Sequence, residues 1–209
     1  MFPEYFALIE AIVGAILAVL LGYKYTQHRR NHHLLWMVHL IFWSTFELGV
    51  FLQFIYGSSP ITEKIVSILH MPLMALSGVG MLFLLQGFEL FPKVTVQKYW
   101  PKYFLFYTLV VYGALIGAVL AVGVQQWIVT SSWVLLVIPG AFITISGSIS
   151  SFFLGRRRNI LIAIGILGAR IAEQSPLLFA LGLDTICEAL VGVGFLFAVE
   201  PLLRRVGEK

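Results

Sequence analysis

Charge is what this chain has least of. Lys, Arg, Asp and Glu make up 11% of its 209 residues, less than half of the roughly 25% usual in a soluble domain. Aspartate occurs once (Asp184) and asparagine twice (Asn31, Asn159), against nine glutamates, a bias that fits a thermophile. A single cysteine, Cys187, excludes an intramolecular disulfide and any metal cluster held by several thiolates. The chain has no phosphate-binding loop, no HExxH metal motif and no nucleophile triad, so nothing argues for an enzyme. The opening MFPEYFALIE lacks a basic stretch, and no cleaved signal peptide is expected.

What is plentiful is apolar. Hydrophobic residues reach 59% and mean hydropathy is +0.93, in runs exceeding the roughly 20 residues that cross a bilayer core. The expectation is one all-α, multi-pass domain in the cell membrane, without a separate soluble domain. Apolar runs between polar breaks predict seven helices, at 4–23, 33–56, 64–90, 102–124, 127–154, 159–181 and 183–203. Tyr5, Tyr23, Trp36, Tyr56, Trp100 and Trp127 fall near their ends, as interfacial aromatics do.

Basic residues alternate between connections. Lys24, Arg29 and Arg30 fall in the first, Lys93, Lys98 and Lys102 in the third, Arg156 to Arg158 in the fifth, and Arg204, Arg205 and Lys209 after the last helix. Positive loops stay inside, so the N-terminus is expected outside and the C-terminus in the cytoplasm. The net charge of +4 then belongs to a rim facing anionic lipid and requires no nucleic acid. His28, His32 and His33 are expected in a solvated basic turn.

One phrase occurs twice. ALSGVGMLFLL (75–85) and ALVGVGFLFAV (189–199) agree at seven of eleven positions, 114 residues apart. Each follows a helix preceded by RRN, at 29–31 and 157–159. A parallel duplication of a three-helix unit follows, at about 4–90 and 127–203. Two like-oriented triplets need one crossing between them, supplied by 102–124, which gives a 3+1+3 plan. Gly113 and Gly117, spaced as GxxxG on that linker, suggest a packing face for a homo-oligomer. Pro72, Pro139 and Pro176 fall inside spans and should kink them, freeing backbone carbonyls.

This plan resembles, in arrangement only, the SWEET-type sugar transporters and the microbial rhodopsins. The SWEET Pro-Gln signature is absent, and no lysine stands between Lys102 and Lys209 to form a retinal Schiff base, which excludes retinal. The seven-helix input modules of some histidine kinases are similar in helix order and in an aromatic-rich second helix.

Ionisable residues inside spans are costly, about 2.5–3.5 kcal/mol each on insertion scales, so their positions matter. Glu47 and Glu173 each stand 14 residues into their helices from the inner side, roughly 21 Å at 1.5 Å per residue. His70, Glu10 and Glu188 come to the same level from the outer side, with Arg170 one turn away. His39, Trp43 and Glu47 form a stripe at i, i+4, i+8, and Asp184 with Glu188 makes a similar local pair. The proposed solute, ion or proton site is therefore Glu47, Glu173, Arg170, His70, Glu188, Asp184 and His39. Glu47 and Glu173 occupy nearly equivalent places in the two repeats and form the expected coupling pair, with Arg170 as counter-ion or as a register-fixing ion pair. His39 and His70 differ in height by about 12 Å, too far for one haem iron, and no cofactor is expected. Mid-helix carboxylates, kinks and repeat symmetry point to a small transporter of a solute or ion. A seven-helix sensor acting on a separate partner, since the chain stops six residues past its last span, and a structural subunit of a membrane complex are the alternatives.

Overall fold

The computed structural model describes residues 3–91 and 94–202. It is helical almost throughout, because a chain this apolar satisfies its backbone only within helices. In order these are α1 (Pro3–His28), α2 (Asn31–Tyr56), α3 (Pro60–His70), α4 (Leu73–Leu84), α5 (Trp100–Val122), α6 (Gln126–Ser132), α7 (Ile138–Phe153), α8 (Ile160–Gln174), α9 (Pro176–Ala180) and α10 (Leu183–Phe197). A π-helical turn, Trp133–Val137, joins α6 to α7, and a 3-10 turn, Arg157–Asn159, precedes α8. Strands β1 (Glu89–Phe91) and β2 (Val94–Thr95) form a small antiparallel hairpin.

Among the described residues five helical stretches are long and apolar enough to cross a membrane: Tyr5–His28, Asn31–Tyr56, Pro60–Leu84, Trp100–Val122 and Gln126–Phe153. α8 and α10 have 15 residues each, about 22 Å at helical rise, below the roughly 30 Å of a hydrocarbon core. Large apolar side chains cover the outside, among them Val19, Tyr103, Phe106 and Phe153, the pattern of a lipid-facing surface.

The helices pack as a closed ring. α1 lies on α2, α2 on α3 and α4, α4 on α7, α7 on α8, α8 on α10, and α10 returns to α1. α5 stands outside, against α3, α4 and α6. The α4–α7 contact is main chain on main chain. A Cβ added at Gly140 would stand 2.2 Å from the Met74 carbonyl oxygen, and one at Gly78 would meet the Gly140 Cα at 2.9 Å. At one end of the ring Trp36 stacks on Phe195 (4.7 Å, 9°) and donates its indole N–H to the Ser77 carbonyl at 3.2 Å. A Cβ added at Gly113 or Gly117 would meet nothing within 4 Å, so their face is free.

Three expectations are corrected. The third helix does not run unbroken over 64–90: it breaks at Met71–Pro72 and stops at Leu84, and Glu89–Phe91 pairs as a strand with Val94–Thr95. Gly87, at φ 83°, turns the chain there, and its N–H bonds to the Val96 carbonyl, so an apolar run continues past the end of its helix. The last helix ends at Phe197 and not at 203. Pro201 disfavours helix just before it, and the buried Asn159 side chain takes both the N–H and the carbonyl of Val199. Arg204, Arg205, Lys209 and Lys93 lie outside the described residues. Finally, His32 and His33 are not in a solvated turn. α2 begins at Asn31, and both rings are buried, with His32 edge-on to Trp36.

Candidate functional site

The three prolines decide where the ring opens. Proline has no N–H and cannot bond the carbonyl four residues earlier. Pro72 separates α3 from α4, Pro139 sits at the exit of the π turn, and Pro176 separates α8 from α9. Two of the freed carbonyls are met by α5. Tyr112 donates its hydroxyl to Ile68, four before Pro72, at 3.1 Å. Tyr107 donates to Leu135, four before Pro139, at 2.9 Å. At the third break the Ser175 side chain accepts from the Leu178 N–H and caps α9. These caps let the helices bend without leaving polar backbone bare in an apolar setting.

Inside the bends lies a cavity of about 350 Å³. All seven residues proposed from the sequence line it: His39 and Glu47 from α2, His70 from α3, Arg170 and Glu173 from α8, Asp184 and Glu188 from α10. Glu10 from α1 lines it as well, with aromatic walls that include Trp43, Phe46, Trp133 and Phe179. His39 and His70, separated by height in the sequence reading, both border this one space.

The pairings match those expected in part: Arg170 forms a local ion pair, while the partners of Glu47 and Asp184 differ. Arg170 donates to Glu173 at 2.7 Å and to Glu188 at 2.9 Å. It therefore clamps α8 to α10 and holds the carboxylate that was expected to face Glu47. Glu47 instead faces Glu10, whose carboxyl lies within hydrogen-bonding reach. Two carboxyl groups can bond each other only through a proton held between them. Glu10 also accepts from the Thr185 hydroxyl at 2.7 Å. Asp184 does not pair with Glu188, and its Oδ1 is buried with no hydrogen-bond partner among the described residues.

The two histidines are held differently. His39 is 3% exposed, and its Nδ1 lies 2.7 Å from the Leu73 carbonyl. A carbonyl only accepts, so Nδ1 carries the hydrogen and Nε2 of the neutral ring is an acceptor. The ring stands edge-on to Phe195 at 5.3 Å. His70 packs between Phe46 (5.0 Å) and Trp133 (6.5 Å). Among the described residues no group of three or more His, Cys, Asp or Glu is arranged to hold a metal ion.

Glu10 and Thr185 join the seven residues expected from the sequence. Glu10 comes to the same depth but close to a helix end, where hydration is the simpler expectation; the structure leaves it 6% exposed. Thr185 carries no hydropathy signal, and only the crossing of α1 with α10 brings it to Glu10. The aromatic walls that Phe46 of α2, Trp133 of the π turn and Phe179 of α9 bring together have no such signal in the sequence, except Trp43 on the His39–Glu47 stripe. Compared with protein families, curated proteins and solved structures, the chain has no match.

Proposed function

We propose that the protein is a small secondary transporter that moves a small solute or ion through this cavity, with the Glu10–Glu47 carboxyl pair exchanging a proton for it. The observation that carries the reading is the cavity itself: ionisable side chains from five elements, each costly in a membrane, converge on one space between bent helices. Structural ion pairs alone would account for Arg170, Glu173 and Glu188. They leave Glu10, Glu47 and Asp184 without a purpose.

Seven crossings, with α8–α9 and α10 as the last two, and an N-terminus outside remain part of this reading. The cavity then opens toward the outer leaflet, and Trp36 on Phe195 closes the inner side. A duplicated three-helix unit is supported by how the repeated phrase packs. Gly80 abuts Trp36 of α2 and Gly194 abuts Ile162 of α8, each the preceding helix of its own unit. Gly78 abuts α7 and Gly192 abuts Leu17 of α1, each the first helix of the opposite unit. Such units rock against each other about the site they share, and a site at their boundary is where alternating access needs it.

The test is uptake into proteoliposomes under an imposed pH gradient, with radiolabelled amines, amino acids and sugars offered in turn. We expect uptake of at least one class, dependent on the gradient and lost in Glu47→Gln. Uptake that persists unchanged in Glu47→Gln and Glu10→Gln would remove the pair from the mechanism. No protein-dependent uptake of any class would contradict transport.

A further inference from the structure

The lining of the cavity also constrains what enters it. Five carboxyl groups line it against one guanidinium, and Arg170 is already bound by two of them. An anion would find that guanidinium occupied. A bare inorganic cation requires a close shell of oxygens; among the described residues no three carboxyl or imidazole groups are arranged to hold one, and aromatic side chains such as Trp43, Phe46, Trp133 and Phe179 share the lining with the carboxyls. Ring faces attract cations that carry an apolar body. Asp184 lines the cavity as well, and its Oδ1 has no hydrogen-bond partner among the described residues.

A second acceptor lies at the opposite end. His39 is almost wholly buried, lines the cavity, and spends Nδ1 on Leu73. Its Nε2 has no hydrogen-bond partner among the described residues. Glu47, at the acidic end beside Glu10 and Asp184, is two helical turns from His39, about 12 Å along α2. A hydrogen bond at each end takes up about 6 Å of that, leaving about 6 Å for the ligand, the span of one ring with a short arm. The cavity volume, about 350 Å³, is at the small end of ligand pockets, about 300–1,000 Å³.

We infer that the cavity binds a small organic cation: an ammonium group received by Asp184 and its neighbouring carboxyls, an apolar or aromatic body between the aromatic walls, and a hydrogen-bond donor at the far end received by His39 Nε2. The ligand's being cargo rests on the transport reading, while its binding rests on the lining alone.

The test is calorimetry and thermal shift on the purified full chain in detergent, with four matched probes. Tyramine has the ammonium, the ring and the far hydroxyl. Phenethylamine lacks the hydroxyl, tyrosol replaces the ammonium by a neutral hydroxyl, and 4-hydroxyphenylacetate carries a carboxylate in place of the aminomethyl end. We expect tyramine to bind at least about tenfold more tightly than tyrosol or 4-hydroxyphenylacetate, and about threefold more tightly than phenethylamine. Asp184→Asn should weaken tyramine about tenfold while leaving the ligand-free melting temperature unchanged or raised, since Oδ1 has no bond to lose. Should that variant fail to fold, Glu47→Gln serves for the same comparison. Binding of tyrosol or the carboxylate as tight as tyramine, or no binding of either amine at millimolar concentration, overturns the inference. Amine binding with this selectivity but no flux in vesicles would contradict transport and leave the ligand class standing. Flux of a solute without an amine would do the reverse.

Discussion

Replacing Tyr112 by Phe deletes one hydroxyl and keeps the ring against Phe42. That hydroxyl donates to the Ile68 carbonyl at 3.1 Å, the carbonyl that Pro72 cannot serve. Hydrogen bonds within membrane bundles average about 0.6 kcal/mol and reach about 1.7 in double-mutant cycles. A half-buried bond to a carbonyl robbed of its helical donor belongs in the upper part of that range, so we expect a cost of about 1 kcal/mol. That is roughly a fivefold shift in the unfolding equilibrium. Pro72→Ala restores the missing N–H, which can then reach Ile68 along the helix. In that background Tyr112→Phe should cost no more than about 0.3 kcal/mol, giving a coupling of about 0.7 kcal/mol between two residues on different helices. The assay is reversible unfolding in mixed micelles for the wild type, both single variants and the double. An equal cost of Tyr112→Phe with and without Pro72 would refute the claim that α5 caps the kink.

Three further outcomes follow from the packing. Gly140→Ala puts a Cβ 2.2 Å from the Met74 backbone, which cannot swing aside. It should cost at least the 1–3 kcal/mol or so of core overpacking, read in the same unfolding titration. Gly113→Ala meets nothing within 4 Å and should be neutral or gain up to about 1 kcal/mol in helix propensity, so the contrast separates a helix crossing from a free face. Asn159→Ala strips both backbone groups of Val199 of their partners; a loss of about 2 kcal/mol and faster amide exchange at Val199 are expected. Unchanged exchange there would refute the anchoring role.

Much of the site could be read from the sequence because depth in a membrane helix is arithmetic. A rise of 1.5 Å per residue places Glu47, Glu173, His70 and Glu188 on one level before any contact is known, and those residues line one cavity. The same arithmetic ranks height but not azimuth. It therefore could not choose Glu10 over Glu173 as the neighbour of Glu47, or send Glu188 to Arg170 and away from Asp184. Hydropathy also fails to mark where a helix stops. Phe88, Leu90 and Phe91 continue the apolar run of the helix before them, yet Gly87 turns them into a hairpin, and His32 and His33 look polar but are buried, His32 against Trp36 and His33 against His32. The kinks at Pro72 and Pro139 were written in the sequence. Their caps, Tyr107 and Tyr112, were not, because an apolar helix such as α5 gives no sign of which carbonyls it will face.

The central claim is that a cation and a proton compete for the carboxyls of Glu10 and Glu47. Calorimetry of tyramine binding in two buffers of equal pH and different ionisation enthalpy measures the protons released per ligand bound. We expect release of about one proton per tyramine in the wild type, as one proton is all that a carboxyl pair shares, and none in Glu47→Gln. Binding heats that are the same in both buffers would contradict the account.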